Sequence, residues 1–116
     1  MAHGAATAYS GIVRSSERTV LIDATPATVG INTVAVTVLD PAGKPAKVEQ
    51  WSAIATRPGV GDVRVPLKSF GAGVATADPR LPVTGKWTFT VTIRVAGADP
   101  VSVSDVIPIG FREPVK

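Results

Sequence analysis

Residues 86–95, Lys-Trp-Thr-Phe-Thr-Val-Thr-Ile-Arg-Val, alternate without a slip. Trp87, Phe89, Val91, Ile93 and Val95 fall on one side, and Thr88, Thr90, Thr92 and Arg94 on the other. Successive side chains point to opposite faces only in an extended strand; a helix would scatter this set around its axis. One face is therefore apolar, and a strand of this kind needs neighbours and a second layer to cover it. Trp87 keeps phase with Phe89 and Val91, so the aromatic row reads as the wall of a core.

The rest of the chain repeats the theme in shorter pieces. Strands are expected over 19–26, 30–40, 46–56, 62–70, 71–78 and 101–110, beside the one above. Val20 and Ile22, then Val34, Val36 and Val38, then Val63, Val65 and Leu67 mark their apolar faces. Ten Pro and eleven Gly separate them, and Asp40-Pro41-Ala42-Gly43 is turn chemistry. Pro66 has no N–H and places its strand at a sheet edge. The alternation of the last strand changes phase at Asp105–Val106, which predicts a bulge. No stretch carries a helical stripe. With 45% hydrophobic but only 5% aromatic residues, the core must rest on Val, Ile, Leu and Ala, and β-branched residues favour pleated surfaces. The prediction is an all-β fold, a seven-stranded immunoglobulin-like β-sandwich, with a small barrel as the alternative. Residues 1–18 read as a flexible tail or linker, 19–110 as the sandwich domain and 111–116 as a C-terminal tail.

Chemistry-bearing residues are sparse. Cys is absent, which removes disulfides, thiolate metal sites and Cys nucleophiles. The only His is His3, in the N-terminal tail, so a Ser–His–Asp arrangement has no base. Met1-Ala2-His3 has the spacing of an amino-terminal copper chelate, but Met1 before Ala2 is ordinarily trimmed, which would leave His3 second instead of third. Asp40, Asp78 and Asp99 each precede Pro and belong to turns. Twelve basic residues face nine acidic ones and are scattered singly, so no nucleic-acid footprint emerges. No segment is apolar enough to span a membrane. No secretory leader begins the chain, so targeting would come from a longer protein. The inventory predicts a protein that is not an enzyme.

Trp51 leaves two readings open. Its neighbours alternate poorly, so it is either buried through a local bulge together with Ile54 or exposed as a contact residue. The loop opened by Arg57, Arg57-Pro58-Gly59-Val60-Gly61, and the segment Lys68-Ser69-Phe70-Gly71-Ala72-Gly73 are the other candidate contact regions. Phe70 and Phe111 read as lids on the sandwich edge.

Several residues carry a resemblance. Pro26, Gly30-x-Asn32, Asp40 with Gly43 and Pro45, Gly73, and Leu81-Pro82 before Gly85-x-Trp87 follow one another over residues 20–109. In this order the chain resembles the C-terminal extracytoplasmic domain of bacterial copper-transport and copper-resistance membrane proteins of the CopC/CopD type, related to YtkA-like and FixH-like domains. The resemblance implies an immunoglobulin-like fold, an extracytoplasmic location tethered to the cytoplasmic membrane, and contact with its own membrane domain or a periplasmic or membrane protein. It also implies a domain that is monomeric in isolation. Copper-binding members of the wider group use His, Asp or Met, and residues 19–110 contain neither His nor Met. The resemblance therefore brings no metal site and no cofactor, His3 aside. A periplasmic copper-binding domain and an unrelated secreted adhesion module remain as alternatives.

Overall fold

The computed structural model describes residues 9–15 and 18–111. Eleven strand segments and no helix occur among them: β1 Tyr9–Ser15, β2 Arg18–Thr25, β3 Gly30–Ile31, β4 Thr33–Leu39, β5 Val48–Arg57, β6 Gly61–Arg64, β7 Lys68–Ser69, β8 Val74–Ala77, β9 Arg80–Leu81, β10 Gly85–Val95 and β11 Val101–Ile109. They form a five-stranded sheet in the order β1-β2-β4-β8-β7, a four-stranded sheet in the order β11-β10-β5-β6, and the two-residue pair β3-β9. Every pairing between strands is antiparallel.

The faces follow from the period of two. On β10, Trp87, Phe89, Val91 and Ile93 are buried, while the intervening Thr residues are half-exposed. On the other sheet, Val20, Ile22 and Ala24 of β2 stand beside Val34, Val36 and Val38 of β4, all buried. The two sets meet in one hydrophobic core. Full burial of a side chain of this size stabilises by about 1.5–3 kcal/mol, so the two apolar faces are the main reason that the sheets associate. The Trp87 indole N–H is satisfied by the Val83 carbonyl at 3.0 Å, which lets the largest core residue be buried without an unpaired donor. Gly85 begins the strand at φ 124°, a conformation that L side chains rarely adopt.

The strand count departs from seven for physical reasons. The expected fourth strand, 62–70, is divided. Gly61–Arg64 pairs with β5, whereas Lys68–Ser69 pairs with β8 in the other sheet. Pro66 sits between them, where the chain leaves one ladder and needs no N–H for the next. Val65 is buried as the chain crosses. The fifth expected strand, 71–78, contracts to β8.

The N-terminal tail is corrected in part. Tyr9–Ser15 is a full partner of β2, from Tyr9↔Ala24 to Ser15↔Arg18. Tyr9 and Val13 pack against the core, but Gly11 between them hides the alternation. Residues 1–8 lie outside the described residues.

The bulge expected at Asp105–Val106 is absent. β11 pairs with β10 without a register shift from Gly85↔Ile109 to Ile93↔Val101. Asp105 simply occupies an inward position, opposite Phe89, and Val106 an outward one that is 47% exposed. The irregularity lies elsewhere, between Arg94 and Val95 in the β10–β5 pairing.

Candidate functional site

Trp51 stands on the inner face of β5. Its Cα partner is Ile93, and the next inward pairs are Ala53↔Val91 and Ala55↔Phe89. Paired residues of an antiparallel ladder share a face, so Trp51 points inward with no bulge between it and Ile54, which pairs with Thr90 on the outer side. Trp51 packs against the core yet is only half-buried. One side of it lines an open groove of about 470 Å³ with Ser52, Ala53, Ile54 and residues 64–67. The other borders a cavity of about 120 Å³ that includes Thr92, Arg94 and Pro100.

Arg57 closes the opposite end of the same strand. Six residue steps of strand separate it from Trp51, roughly 20 Å, so the two do not form one site. The Arg57 side chain lies over Gly85, where a Cβ would approach its Nη2 to 3.0 Å. Its Nη1 donates to the Pro58 carbonyl at 3.3 Å. Arg57 therefore packs over the start of β10. His3 lies outside the described residues, and among the described residues no group of three or more His, Cys, Asp or Glu could hold a metal ion.

Two polar centres lie apart from Trp51 and Arg57; sequence reasoning missed the first, and the second falls on Asn32, one of the resemblance residues. The first joins Tyr9 to Asp105. The Tyr9 hydroxyl donates to Asp105 Oδ2 at 2.7 Å, linking β1 to β11, the neighbouring edge of the other sheet. Burial, then the hydrogen bond to Asp105 and its negative charge, push the Tyr9 pKa up to about 12. The phenol therefore stays a proton donor, and the inward Asp105 is satisfied. Gly11 makes the contact possible: a Cβ there would strike Asp105 Oδ2 and lie 2.6 Å from the Tyr9 hydroxyl. The only signal in the sequence was the break in alternation at Asp105.

The second centre is Asn32, fully buried. Its Oδ1 accepts from the backbone N–H of Ala27 at 2.6 Å and of Thr28 at 3.2 Å. Its Nδ2 donates to the carbonyls of Thr28 at 2.8 Å and Gly30 at 3.1 Å. Asn32 thus ties its own loop through its amide, the role open to an Asn in such a motif. The loop holds Ala27 at φ 62°, follows a cis Thr25–Pro26 peptide, and bonds onward through Val29 N–H to the Gly110 carbonyl.

Phe70 and Phe111 are not lids. They are 77% and 81% exposed. Phe70 follows the two-residue β7, too short to carry it over the core. Phe111 borders a shallow cavity of about 440 Å³ with Val29, Pro82, Val83 and Thr84. The outer face of β10 and β11 is a hydroxyl ladder, with Thr90 bonded to Ser104 and Thr92 to Ser102.

With this geometry in hand, comparison with known proteins adds the fold. A DUF4426 family protein from Pseudomonas aeruginosa PAO1 superposes with a TM-score of 0.75 at 13% identity, over 90% of this chain and 97% of that one. The likeness is one of fold. The Lin-41 filamin domain superposes with a TM-score of 0.50 at 19% identity, over 86% of this chain and 90% of that one. No family model and no curated protein sequence matches the chain.

Proposed function

We propose that this chain is a non-enzymatic, extracytoplasmic interaction domain of a copper-transport-type membrane protein, built as an immunoglobulin-like β-sandwich. The observation that carries the reading is the convergence of one group of the resemblance residues, while Asp40, Gly43, Pro45 and Gly73 gather at the other end of β4. Pro26, Gly30 and Asn32 lie in one loop, tied together by the Asn32 amide. Gly30 pairs with Leu81, the Asn32 N–H bonds to the Pro79 carbonyl, and the segment then runs through Pro82 to Gly85 and Trp87. Gly30 and Leu81, 51 positions apart in sequence, thus belong to a single structural unit.

The non-enzymatic part of the reading rests on how the polar groups are used. Tyr9, Asp105 and Asn32 are engaged with one another or with backbone. What remains outward is surface, including exposed Ile31, Val60, Val83 and Phe111 near one end of the sheets. Rigid sheets commonly present function on such loops and edges.

An alkaline-phosphatase fusion after Lys116, in the native full-length polypeptide, tests the location, because that enzyme is active only outside the cytoplasm. An inactive fusion of normal abundance would sink the extracytoplasmic reading. Calorimetric titration with copper tests the alternative of a copper-binding domain. Binding that survives His3→Ala would favour that alternative and require ligands in the folded part.

A further inference from the structure

The flank between β5–β6 and β7 differs from the flank closed by Tyr9 and Asp105. β5 spans ten residues, but β6 pairs only with Ile54–Arg57. One more bond extends that ladder, from Val65 N–H to the Ala53 carbonyl at 3.2 Å. The next residue, Pro66, has no N–H, and the chain crosses to the other sheet. Backbone groups of residues i and i+2 in a strand face the same edge. The N–H and C=O of Trp51 therefore face the edge that β6 has left, and among the described residues no loop bond reaches them. Beside them lies the groove lined by Trp51, Ala53, Ile54, Arg64, Pro66 and Leu67.

Three features converge here: an uncovered strand edge, a half-buried indole and one cation. Arg64 is the sole charged residue of the lining. Lys68 follows Leu67 on β7, the edge strand of the other sheet. Neither forms an ion pair among the described residues, where Arg94–Glu49 is the one pair present. Glu49, the acid nearest Trp51 in sequence, is thereby engaged away from Arg64.

The geometry points to this groove as the docking site for an extended acidic-apolar segment of a partner protein, which adds a strand to the free edge of β5. The segment seats an apolar side chain on Trp51 and a carboxylate on Arg64. Main-chain pairing gives affinity in this mode, and the alternate side chains give specificity. The inference deepens the reading of an interaction domain and rests on it.

The test uses two synthetic peptides of about ten residues, the length of β5, one alternating Val with Glu and the other Val with Lys. Each is titrated into the isotope-labelled full chain and followed by amide and indole NMR shifts. The Glu peptide is expected to shift residues 50–54 and 64–68, including the Trp51 indole, and the Lys peptide to leave them unmoved. Arg64→Glu should weaken the Glu peptide about tenfold or more, as loss of a charge-assisted hydrogen bond does, and admit the Lys peptide. Equal binding of both peptides would overturn the proposal, as would no shift at about 1 mM, the weak limit of useful affinity. Shifts confined to Val29, Val83 and Phe111 would also overturn it, but would leave the interaction-domain reading standing at a different surface.

Discussion

The Tyr9 hydroxyl reaches 2.7 Å to Asp105 Oδ2, across 96 residues of sequence. That bond joins edge strands of the two sheets and accounts for an acid on the core side of β11. It also makes the tyrosine titration a probe of the fold, because Tyr9 is the only Tyr in the chain.

The phenolate absorbance should titrate near pH 12 in the folded protein, against the ordinary value of about 10. The sign follows from linkage. A raised folded pKa means that the unfolded chain loses its proton first. The contribution is thus complete below pH 10 and is lost as pH rises through about 12. Urea midpoints between pH 9 and 12 should fall more steeply for the wild type than for Tyr9→Phe. Parallel curves would contradict the assignment.

Gly11 and Gly110 offer a controlled pair. Gly11→Ala should destabilise by about 1–3 kcal/mol, because its methyl would push into Tyr9 and Asp105. Gly110→Ala meets nothing within 4 Å, and substitution away from special features stays within about 0.5 kcal/mol. Denaturant midpoints of the two variants check the difference. In Gly11→Ala the tyrosine should also titrate closer to its ordinary value.

Asn32→Ala should cost about 3 kcal/mol or more. It orphans the N–H groups of Ala27 and Thr28 in a buried loop, and each unsatisfied group costs about 1–3 kcal/mol. Asn32→Asp keeps the acceptor but loses both donated bonds and buries a charge, so it should not restore stability. Hydrogen exchange at the Ala27 and Thr28 amides gives the local readout.

The two tryptophans should separate by energy and by access. Trp87→Ala should cost about 3–5 kcal/mol, as expected for a fully buried aromatic. Trp51→Ala should cost less, about 1–2 kcal/mol, since its ring is only half-buried. In Trp87→Phe, acrylamide should quench the remaining Trp51 emission partially. In Trp51→Phe, the remaining Trp87 emission should be blue-shifted and resistant.

The faces of β10, β2 and β4 were legible in the sequence because they depend on a local rule. A period of two is set by the backbone, and any strand that obeys it declares which side is apolar. The turn residues and the self-contained knot at Asn32 were legible for the same reason, since their partners lie within a few positions. Tertiary structure alone decided the rest. Tyr9–Ser15 became a strand because β2 offers an edge and Asp105 a partner. The span 62–70 was split because Pro66 cannot continue a ladder and two different sheets wait on either side. Trp51 was placed inward by Ile93 across the sheet, and Arg57 was carried to the far end by the length of β5. Alternation fixes what a strand shows to each side; which strand comes to lie beside it is fixed by contacts that a local window does not contain.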